Sequence, residues 1–463
     1  MRTRRRSFCW LVLAGACALG ACRRPAVAPH DSGEWGPYDL VLPRGEPQAL
    51  AFLLSPASGI DGADRAAAAE LARLGVAVAL VDTRVYLTRM DRAGSPAGTD
   101  CLDVPGAFVW TSHALEQELG LGAYRPPWVI GRGAGGLVAY AALAQSPGHA
   151  LAGGVGLDVE DRVLAVARPL CGLAATPTRG GRRLGVYRLE APWRFVATRP
   201  PATALRTWRQ GIDDRNDERA ATVTPRAPTY PAVVAEVVAP LLRAQAAAPT
   251  ERMPVVEVKP VSAHGALVVI FSGDGGWRDI DKQVGDYLAA RGFAVLGVDA
   301  LSYFWEARSP DETAADAAAM LRAYLALWRA PHVALVGYSF GADILPFVYN
   351  RLPADLRRQV LLVSLLAPSR TIEFEIHVTD WLGGGADDDD LPIPPEAARL
   401  PADKLQCIYA DEDDADSLCT DPSVPPAVVV RRPGDHHFDG DYEALGAVVE
   451  EAILRRLPRR AAK

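Results

Sequence analysis

Apolar residues along the chain occur in short continuous runs, separated by segments in which apolar positions recur with helical spacing. In the first half, apolar runs at 50–54 and 76–81 flank an alanine-rich helical segment at 66–74. Runs without alternation of polar and apolar positions are typical of strands buried on both faces of a parallel sheet. The pattern predicts an α/β fold in which helices cover both faces of the sheet.

The same order of elements occurs again in the second half, where apolar runs at 267–271 and 293–298 flank a helical segment at 282–290. One offset of 217 residues relates the turns, strand ends and an aromatic residue of the two halves: Ser55 with Ser272, Asp82 with Asp299, and Tyr86 with Tyr303. This repeat predicts two tandem domains of the same fold.

The repeat also sets the expected organisation of the chain. We expect one domain at 36–245 and a second at 253–463, with a linker near 244–254. Residues 23–35 are expected to form a tether ahead of the first domain.

Residues 1–22 have the features of a lipoprotein-type signal peptide. Four arginines precede an apolar segment at 8–20, which is too short to span a bilayer comfortably. The signal ends in the sequence LGAC at 19–22, which resembles a bacterial lipid-attachment motif. We expect export to the periplasm with Cys22 as a lipid-modified N-terminus, and ordinary cleavage near Ala21 is the alternative.

Composition and charge indicate which classes of ligand the protein can bind. Hydrophobic residues make up 49% and charged residues 23% of the chain, a balance typical of globular proteins rather than disordered ones. The net charge is −7, and removal of the four signal arginines lowers it to −11. An acidic protein is poorly suited to bind nucleic acid, whereas a cationic substrate is compatible with it.

The four cysteines that follow Cys22 fall two in each half. In an oxidising compartment this arrangement predicts one disulfide in each domain, Cys101–Cys171 and Cys407–Cys419. The sequence has no CxxC motif and no cluster of cysteine and histidine, so we expect neither a metal site nor a cofactor.

A serine motif lies between a predicted strand and a predicted helix of the second half. The sequence GYSFG at 337–341 follows a buried strand at 333–336, which is the arrangement of the nucleophile elbow of α/β-hydrolases. It predicts Ser339 as a nucleophile held above the sheet. The first half has GRGAG at 131–135, with Gly133 in place of the serine. We therefore expect two tandem α/β-hydrolase-like domains, of which the first lacks the nucleophile.

A serine nucleophile requires a base and an acid that orients the base, and in this fold both follow the serine in the sequence. In the acidic loop after the predicted strand at 405–409, Asp413 is the first choice and Asp416 the alternative. The loop after the last predicted strand contains His436 and His437. We expect His436 to be the general base, with His437 as the alternative.

Two backbone N–H groups are expected to form the oxyanion hole. One belongs to Phe340, and the other to Asp274 in the glycine-rich turn after the first strand of this half. Trp277, Tyr303 and Trp305 are candidates for the lining of the substrate pocket, with packing in the core as the alternative.

Four stretches carry a family resemblance: FSGDGGWRDID at 271–281, GYSFGADILPFVYNRLP at 337–353, FEIHVTDWLG at 374–383 and HHFDGDY at 436–442. Together they resemble the bacterial virulence proteins AcvB and VirJ, and the two-domain layout resembles AcvB rather than the shorter VirJ. The resemblance implies a periplasmic hydrolase of lysyl-phosphatidylglycerol, an aminoacylated phospholipid in which an ester joins lysine to the head group.

A lysyl ester carries two ammonium groups, so the resemblance also implies a site for a cation. Asp343, four residues after Ser339, is the first candidate, followed by the aspartates at 387–390. A structural contact of Asp343 and a solvated loop at 387–390 are the alternatives. Two other functions stay open: an interaction protein associated with a type IV secretion component, and an esterase that acts on a different ester.

Overall fold

The computed structural model describes residues 27–31, 36–93, 101–146, 150–200, 202–247, 253–258, 265–376, 390–413 and 415–458. These residues form two tandem α/β-hydrolase-like domains, which confirms the predicted fold class. Each domain has one large sheet with a cluster of buried apolar side chains on either face. The predicted signal peptide and Cys22 lie outside the described residues, and no described helix is long and apolar enough to cross a membrane.

The first domain contains these described strands: β1 (Val27–Asp31), β2 (Pro37–Val41), β3 (Ala49–Leu54), β4 (Val76–Val81), β5 (Trp128–Arg132), β6 (Gly153–Leu157), β7 (Val163–Leu164), β8 (Thr176–Thr178), β9 (Gly181–Arg183), β10 (Trp193–Val196) and β11 (Ala220–Val223). Its helices are α1 (Gly62–Arg73), α2 (Thr83–Ala93), α3 (Val104–Glu118), α4 (Ala134–Gln145), α5 (Thr203–Asn216) and α6 (Tyr230–Ala247). The sheet order is β1-β2-β4-β3-β5-β6-β10-β11, and β7, β8 and β9 form a small separate sheet.

The second domain contains these described strands: β12 (Val255–Val258), β13 (Ala266–Phe271), β14 (Ala294–Val298), β15 (His332–Tyr338), β16 (Val360–Leu366), β17 (Thr371–Ile372), β18 (Leu391–Pro392), β19 (Leu405–Ala410) and β20 (Val429–Arg432). Its helices are α7 (Asp279–Ala290), α8 (Ala300–Tyr303), α9 (Pro310–Leu327), α10 (Phe340–Arg351), α11 (Ala354–Gln359), α12 (Pro394–Ala397) and α13 (Tyr442–Arg456). The sheet order is β12-β14-β13-β15-β16-β19-β20.

The repeat seen in the sequence is present in the hydrogen bonding of the two domains. Ser55 Oγ accepts a hydrogen bond from the Thr83 N–H at 3.2 Å, and Ser272 Oγ accepts one from the Ala300 N–H at 2.9 Å. Both contacts join the end of the first parallel strand to the end of the second. Seven strands follow the same order in the two sheets, and β1 is an addition to the first.

Local sequence accounts for the strand and helix boundaries. Every residue of β3, β4 and β13 is buried, as the continuous apolar runs predict. The helix α9 begins after Ser309, which forms a reciprocal capping box with Glu312, and Pro310 occupies the first helical turn. These signals end the preceding loop and start the helix at a defined residue.

The structure differs from the sequence expectations in three details. The expected tether at 23–35 contains β1, which pairs with β2 in antiparallel fashion. The helix α6 continues through residues 244–247, where a linker was expected. The sheets are mixed rather than wholly parallel, because β2 and β12 join their neighbours through antiparallel pairs. The strands β1 and β12 are short and lie at the edges of their sheets, where one side is unpaired, so their apolar patterns are weak and they are easily missed.

Both predicted disulfides are present. Cys101 is bonded to Cys171 with a Cα–Cα distance of 5.0 Å, and Cys407 is bonded to Cys419 with a Cα–Cα distance of 5.5 Å. The first joins the segment just before α3 to the segment that follows β7. The second closes a loop that begins in β19 and contains Asp413.

Candidate active site

A sharp turn between β15 and α10 positions Ser339. The serine has φ 49° and ψ −120°, in the left-handed region that side chains rarely adopt. A Cβ at position 337 would lie 2.3 Å from the Gly341 carbonyl oxygen, and one at position 341 would lie 2.1 Å from the Phe271 carbonyl oxygen. Only glycine fits at either place, so the spacing of the motif follows from the close packing of the turn.

The structure brings Ser339, His436 and Asp413 together in the order expected from the sequence. Ser339 Oγ lies 3.0 Å from His436 Nε2, and His436 Nδ1 lies 2.7 Å from Asp413 Oδ2. Both the imidazole and the carboxylate are partly exposed. With the proton on Nδ1, the imidazole donates to the carboxylate and accepts from the serine hydroxyl.

The loops that carry the histidine and the acid are joined to each other. The Glu412 N–H donates to the Gly434 carbonyl oxygen at 3.2 Å, and the Cys407–Cys419 disulfide closes the acid loop. The alternative acid, Asp416, lies exposed in the same loop, and the contact with His436 is made by Asp413.

The alternative base, His437, lies beside the site without contacting Ser339. Its Nδ1 is 3.1 Å from the Tyr338 hydroxyl, which also lies 3.3 Å from the His436 carbonyl oxygen. Burial raises the pKa of Tyr338, so its hydroxyl stays protonated and can donate to either group. Sequence reasoning missed this role of Tyr338, because nothing in the motif indicates what the residue before the serine contacts.

The glycine loop, defined here as residues 272–276, passes close to the nucleophile. A Cβ at Gly273 would lie 3.8 Å from the Ser339 Cβ. The Gly273 N–H donates to Asp281 Oδ2 at 3.4 Å, and Asp281 is buried, which raises the pKa of its carboxyl well above the usual range. Asp281 was also missed, although it stands 217 residues after Asp64 and so belongs to the repeat.

Residues 265–457 match the family model described as bacterial virulence protein VirJ. The matched residues lie within the second domain and make up less than half of the chain. No curated protein sequence matches the chain significantly.

Solved structures similar to this chain include three enzymes or enzyme relatives. An α/β serine hydrolase without a lid from Xanthomonas campestris is 19% identical, with a TM-score of 0.31, over 46% of this chain and 98% of its own. Est1E from Butyrivibrio proteoclasticus is 15% identical, with a TM-score of 0.31, over 43% and 93%. The proline iminopeptidase of Mycobacterium smegmatis is 12% identical, with a TM-score of 0.32, over 44% and 94%. At these values the similarities carry no argument about function.

In the second domain, two of the residues expected to bind a cation, Asp343 and Asp390, are engaged with protein groups. Asp343 is buried, its Oδ1 accepts a hydrogen bond from the Ser369 N–H at 2.7 Å, and burial raises the pKa of its carboxyl well above the usual range. This contact agrees with the alternative given above, in which Asp343 has a structural role. Residues 387–389 lie outside the described residues, and Asp390 Oδ2 accepts from the Thr371 hydroxyl at 3.4 Å.

The three aromatic candidates for the pocket of the second domain are buried in packing contacts. The Trp277 indole fills the space above Gly297, where a Cβ would lie 2.4 Å from the ring. The Tyr303 hydroxyl donates to Asp316 at 2.9 Å, and Trp305 Nε1 donates to the Leu121 carbonyl oxygen of the first domain at 2.8 Å. These contacts agree with the alternative that the three aromatic residues pack in the core rather than line the substrate pocket.

Proposed function

We propose that the protein is an exported serine hydrolase that cleaves a carboxylic ester with Ser339, His436 and Asp413. The observation that supports this most directly is the chain of hydrogen bonds from Ser339 Oγ through His436 to Asp413, with separations of 3.0 Å and 2.7 Å. His436 would accept the hydroxyl proton as Ser339 attacks the carbonyl carbon. Asp413 would stabilise the imidazolium that forms.

The oxyanion of the tetrahedral intermediate would be bound by the N–H groups of Phe340 and Asp274. Phe340 is the first residue of α10, so its N–H lies at the positive end of the helix dipole. In the glycine loop the Gly273 N–H is bound by Asp281, and the proposed donor is the N–H of the next residue, Asp274. Each such donor contributes on the order of 10²–10³ in turnover number.

For the substrate, the match of residues 265–457 to the VirJ family model and the resemblance to AcvB support lysyl-phosphatidylglycerol. Ser339 would attack the lysyl carbonyl, and His436 would return the proton to the oxygen of the departing glycerol head group. Water activated by His436 would then hydrolyse the lysyl-serine ester, which releases lysine and restores the hydroxyl. Residues 253–463 carry 20 basic and 33 acidic residues, a net charge of −13, which favours the approach of a cationic substrate.

The proposed location is the periplasmic side of a membrane, where such a lipid is accessible. The two disulfides fit an oxidising compartment. A lipid on Cys22 would tether the enzyme to the membrane surface.

One observation favours a second candidate, an esterase for a neutral ester. Asp343 is buried against the Ser369 N–H, so a lysyl ammonium would have to share this carboxylate with the loop it holds. Desolvation of an ammonium without a partner costs several kcal/mol, so such a cation requires a carboxylate from somewhere in the site.

The test uses purified full-length protein with lysyl-phosphatidylglycerol and alanyl-phosphatidylglycerol in mixed micelles, with the released amino acid measured. We expect lysine release by the wild type and none by Ser339→Ala. Asp343→Asn should reduce lysine release far more than alanine release if Asp343 binds the side-chain ammonium. Equal losses would assign Asp343 to structure alone. A wild type inactive on both lipids but active on a neutral short-chain ester would favour the second candidate, and one inactive on all three would leave the secretion-associated interaction protein as the better proposal.

A further inference from the structure

The helix α3 of the first domain lies against the segment that follows the glycine loop of the second. Arg278 comes two residues after this loop and its side chain is only 15% exposed. Its Nη2 lies 3.7 Å from Asp103 Oδ2, and its guanidinium carbon lies 5.3 Å from the centroid of the Trp110 ring. Both partners belong to the first domain, so Arg278 is held from outside its own domain.

Other contacts fix α3 in this position independently of Arg278. The Trp305 Nε1–H donates to the Leu121 carbonyl oxygen at 2.8 Å, and Gln117 Nε2 donates to the Ile376 carbonyl oxygen at 3.0 Å. The Tyr124 ring lies 5.3 Å from the Trp305 ring and is part of the apolar core of the second domain. Loss of the Arg278 contacts should therefore leave the two domains packed together.

A short path connects Arg278 to the nucleophile. The Gly276 N–H donates to the Gly273 carbonyl oxygen at 3.1 Å, and Gly273 lies beside Ser339. Asp279, directly after Arg278, has φ 41°, a conformation that costs on the order of 1–3 kcal/mol and persists only when its surroundings hold it. Arg278 Nε donates to this Asp279 at 2.7 Å. A displaced Arg278 would relax this turn and shift the loop that carries the proposed oxyanion donor.

Close packing does not hold the glycine loop against the first domain. A small cavity lies between them, lined on one side by His113 and Tyr124 and on the other by Gly275, Gly276 and Arg278. Since apolar packing is incomplete here, the charged and aromatic contacts of Arg278 link the segment after the loop to the first domain, in addition to the hydrogen bond from the Gly273 N–H to Asp281 within the second domain.

We infer that the first domain, which lacks a nucleophile, positions the active site of the second: Asp103 and Trp110 hold Arg278, and Arg278 holds the glycine loop beside Ser339. The inference rests on the proposed hydrolase function. Asp103, Trp110 and Arg278 are positioning residues, because none of them touches the reacting atoms. A displacement of about 1 Å at such a loop is enough to lower turnover by about 10²-fold.

The experiment replaces Asp103 and Trp110 in the full-length protein. Asp103→Asn keeps the side-chain oxygen that accepts the Gly106 N–H at the start of α3, and removes only the charge. Trp110→Ala removes a side chain that is already 40% exposed. With a short-chain chromogenic ester we expect the double variant to lower kcat by about 10- to 100-fold with little change in KM, because the oxyanion contact forms only in the transition state.

Hydrogen–deuterium exchange supplies a readout that does not depend on activity. Peptides covering residues 272–278 should exchange faster in the double variant, while peptides from β15 and β16 should not. Arg278→Lys should retain part of the wild-type kcat, whereas Arg278→Met should resemble the double variant. The control is Asp39→Asn, which removes an ion pair with Arg65 elsewhere in the first domain and should leave both readouts unchanged.

The outcomes separate the two proposals. Unchanged exchange at 272–278 together with unchanged kcat would overturn the positioning role while leaving the hydrolase proposal intact. Faster exchange throughout both domains would also overturn it, since the residues would then serve general stability. A wild type that neither hydrolyses esters nor reacts with a fluorophosphonate would refute the hydrolase proposal, and exchange at 272–278 would still decide whether the first domain restrains the loop.

Discussion

The two domains contain the same sharp turn between a strand and a helix, with glycine at its centre in the first domain and serine in the second. Gly133 has φ 56° and ψ −118°, and Ser339 has φ 49° and ψ −120°. In both turns, a Cβ on either flanking glycine of the motif would lie between 2.1 and 2.5 Å from backbone atoms, at Gly131, Gly135, Gly337 and Gly341. The sharp turn is kept where no nucleophile exists, so strand–helix packing requires it independently of the catalysis proposed for Ser339.

The side chains around the turn are where the domains differ. Arg132, which precedes Gly133, forms an ion pair with the buried Asp64 at 3.0 Å and also pairs with Asp61. Its guanidinium lies over the Tyr230 ring, 4.8 Å from the centroid. Tyr338, at the equivalent place, contacts the histidine loop instead. At this place the first domain has an arginine paired with two aspartates, whereas the second domain has a tyrosine that contacts the loop of the proposed base, His436.

The largest effect should come from exchanging the residues at the centre of the two turns. Ser339→Gly should lower turnover by about 10⁶-fold, because the nucleophile is lost. Gly133→Ser in that background should restore nothing, although a Cβ there would make only an ordinary 3.5 Å contact with Pro56. Residues 197–202 and 224–229, which follow β10 and β11, contain no carboxylate and no histidine. Fluorophosphonate labelling of the double variant would contradict this expectation.

The disulfides offer a second comparison, with a smaller effect. Their cysteines are 70 residues apart in the first domain and 12 apart in the second. Chain-entropy arguments give about 4 kcal/mol for the longer loop and about 3 kcal/mol for the shorter one. Replacement of each pair by serine should therefore destabilise the first domain more, while the Cys407/Cys419 variant should lose more ester turnover because its loop carries Asp413. Denaturant unfolding and turnover measured together would show the reverse order if this reasoning is wrong.

The sequence could predict the repeat and the turns because packing geometry dictates them. Only glycine fits at 337 and 341, and only continuous apolar runs can form strands such as β3 and β13. The choice between His436 and His437 stayed open because it depends on a turn in which Gly434 has φ 104°. The catalytic roles of Ser339, His436 and Asp413 remain predictions.

Contacts between the domains could not be predicted from the sequence. The partners of Arg278 lie more than 160 residues earlier in the chain, and no local pattern links an arginine after a turn to Asp103 or Trp110. Asp281 could have been found, because the 217-residue offset connects it to Asp64. A repeat thus carries information about buried polar residues that neither half carries alone.

The ion pair of the first domain allows a third comparison. Arg132→Met should destabilise the protein by about 3 kcal/mol, because it leaves the fully buried Asp64 carboxylate without its cation. Arg65→Met is the matched control: its pair with Asp39 is largely exposed and should contribute less than about 1 kcal/mol. Addition of Asp64→Asn to Arg132→Met should recover much of the loss. Equal effects of Arg132→Met and Arg65→Met in urea unfolding would show that burial of Asp64 does not matter.

The last comparison concerns Asp281, which occupies the place of Asp64 with Tyr338 instead of an arginine beside it. Burial raises the pKa of Asp281 well above the usual range, so the native state keeps its proton after the unfolded chain has lost it near pH 4. The wild type should therefore lose stability relative to Asp281→Asn as pH rises, by up to about 1.4 kcal/mol per pH unit. The asparagine oxygen can still accept the Gly273 N–H, so the glycine loop should keep its position.

Burial also raises the pKa of Asp64, but Arg132 opposes that effect, and Asp64→Asn should show a shallower pH dependence. Urea unfolding of both variants and the wild type from pH 5 to pH 8 measures the two slopes. Parallel curves for the wild type and Asp281→Asn would mean that Asp281 is ionised in the native state and has a cationic partner that Tyr338 cannot supply.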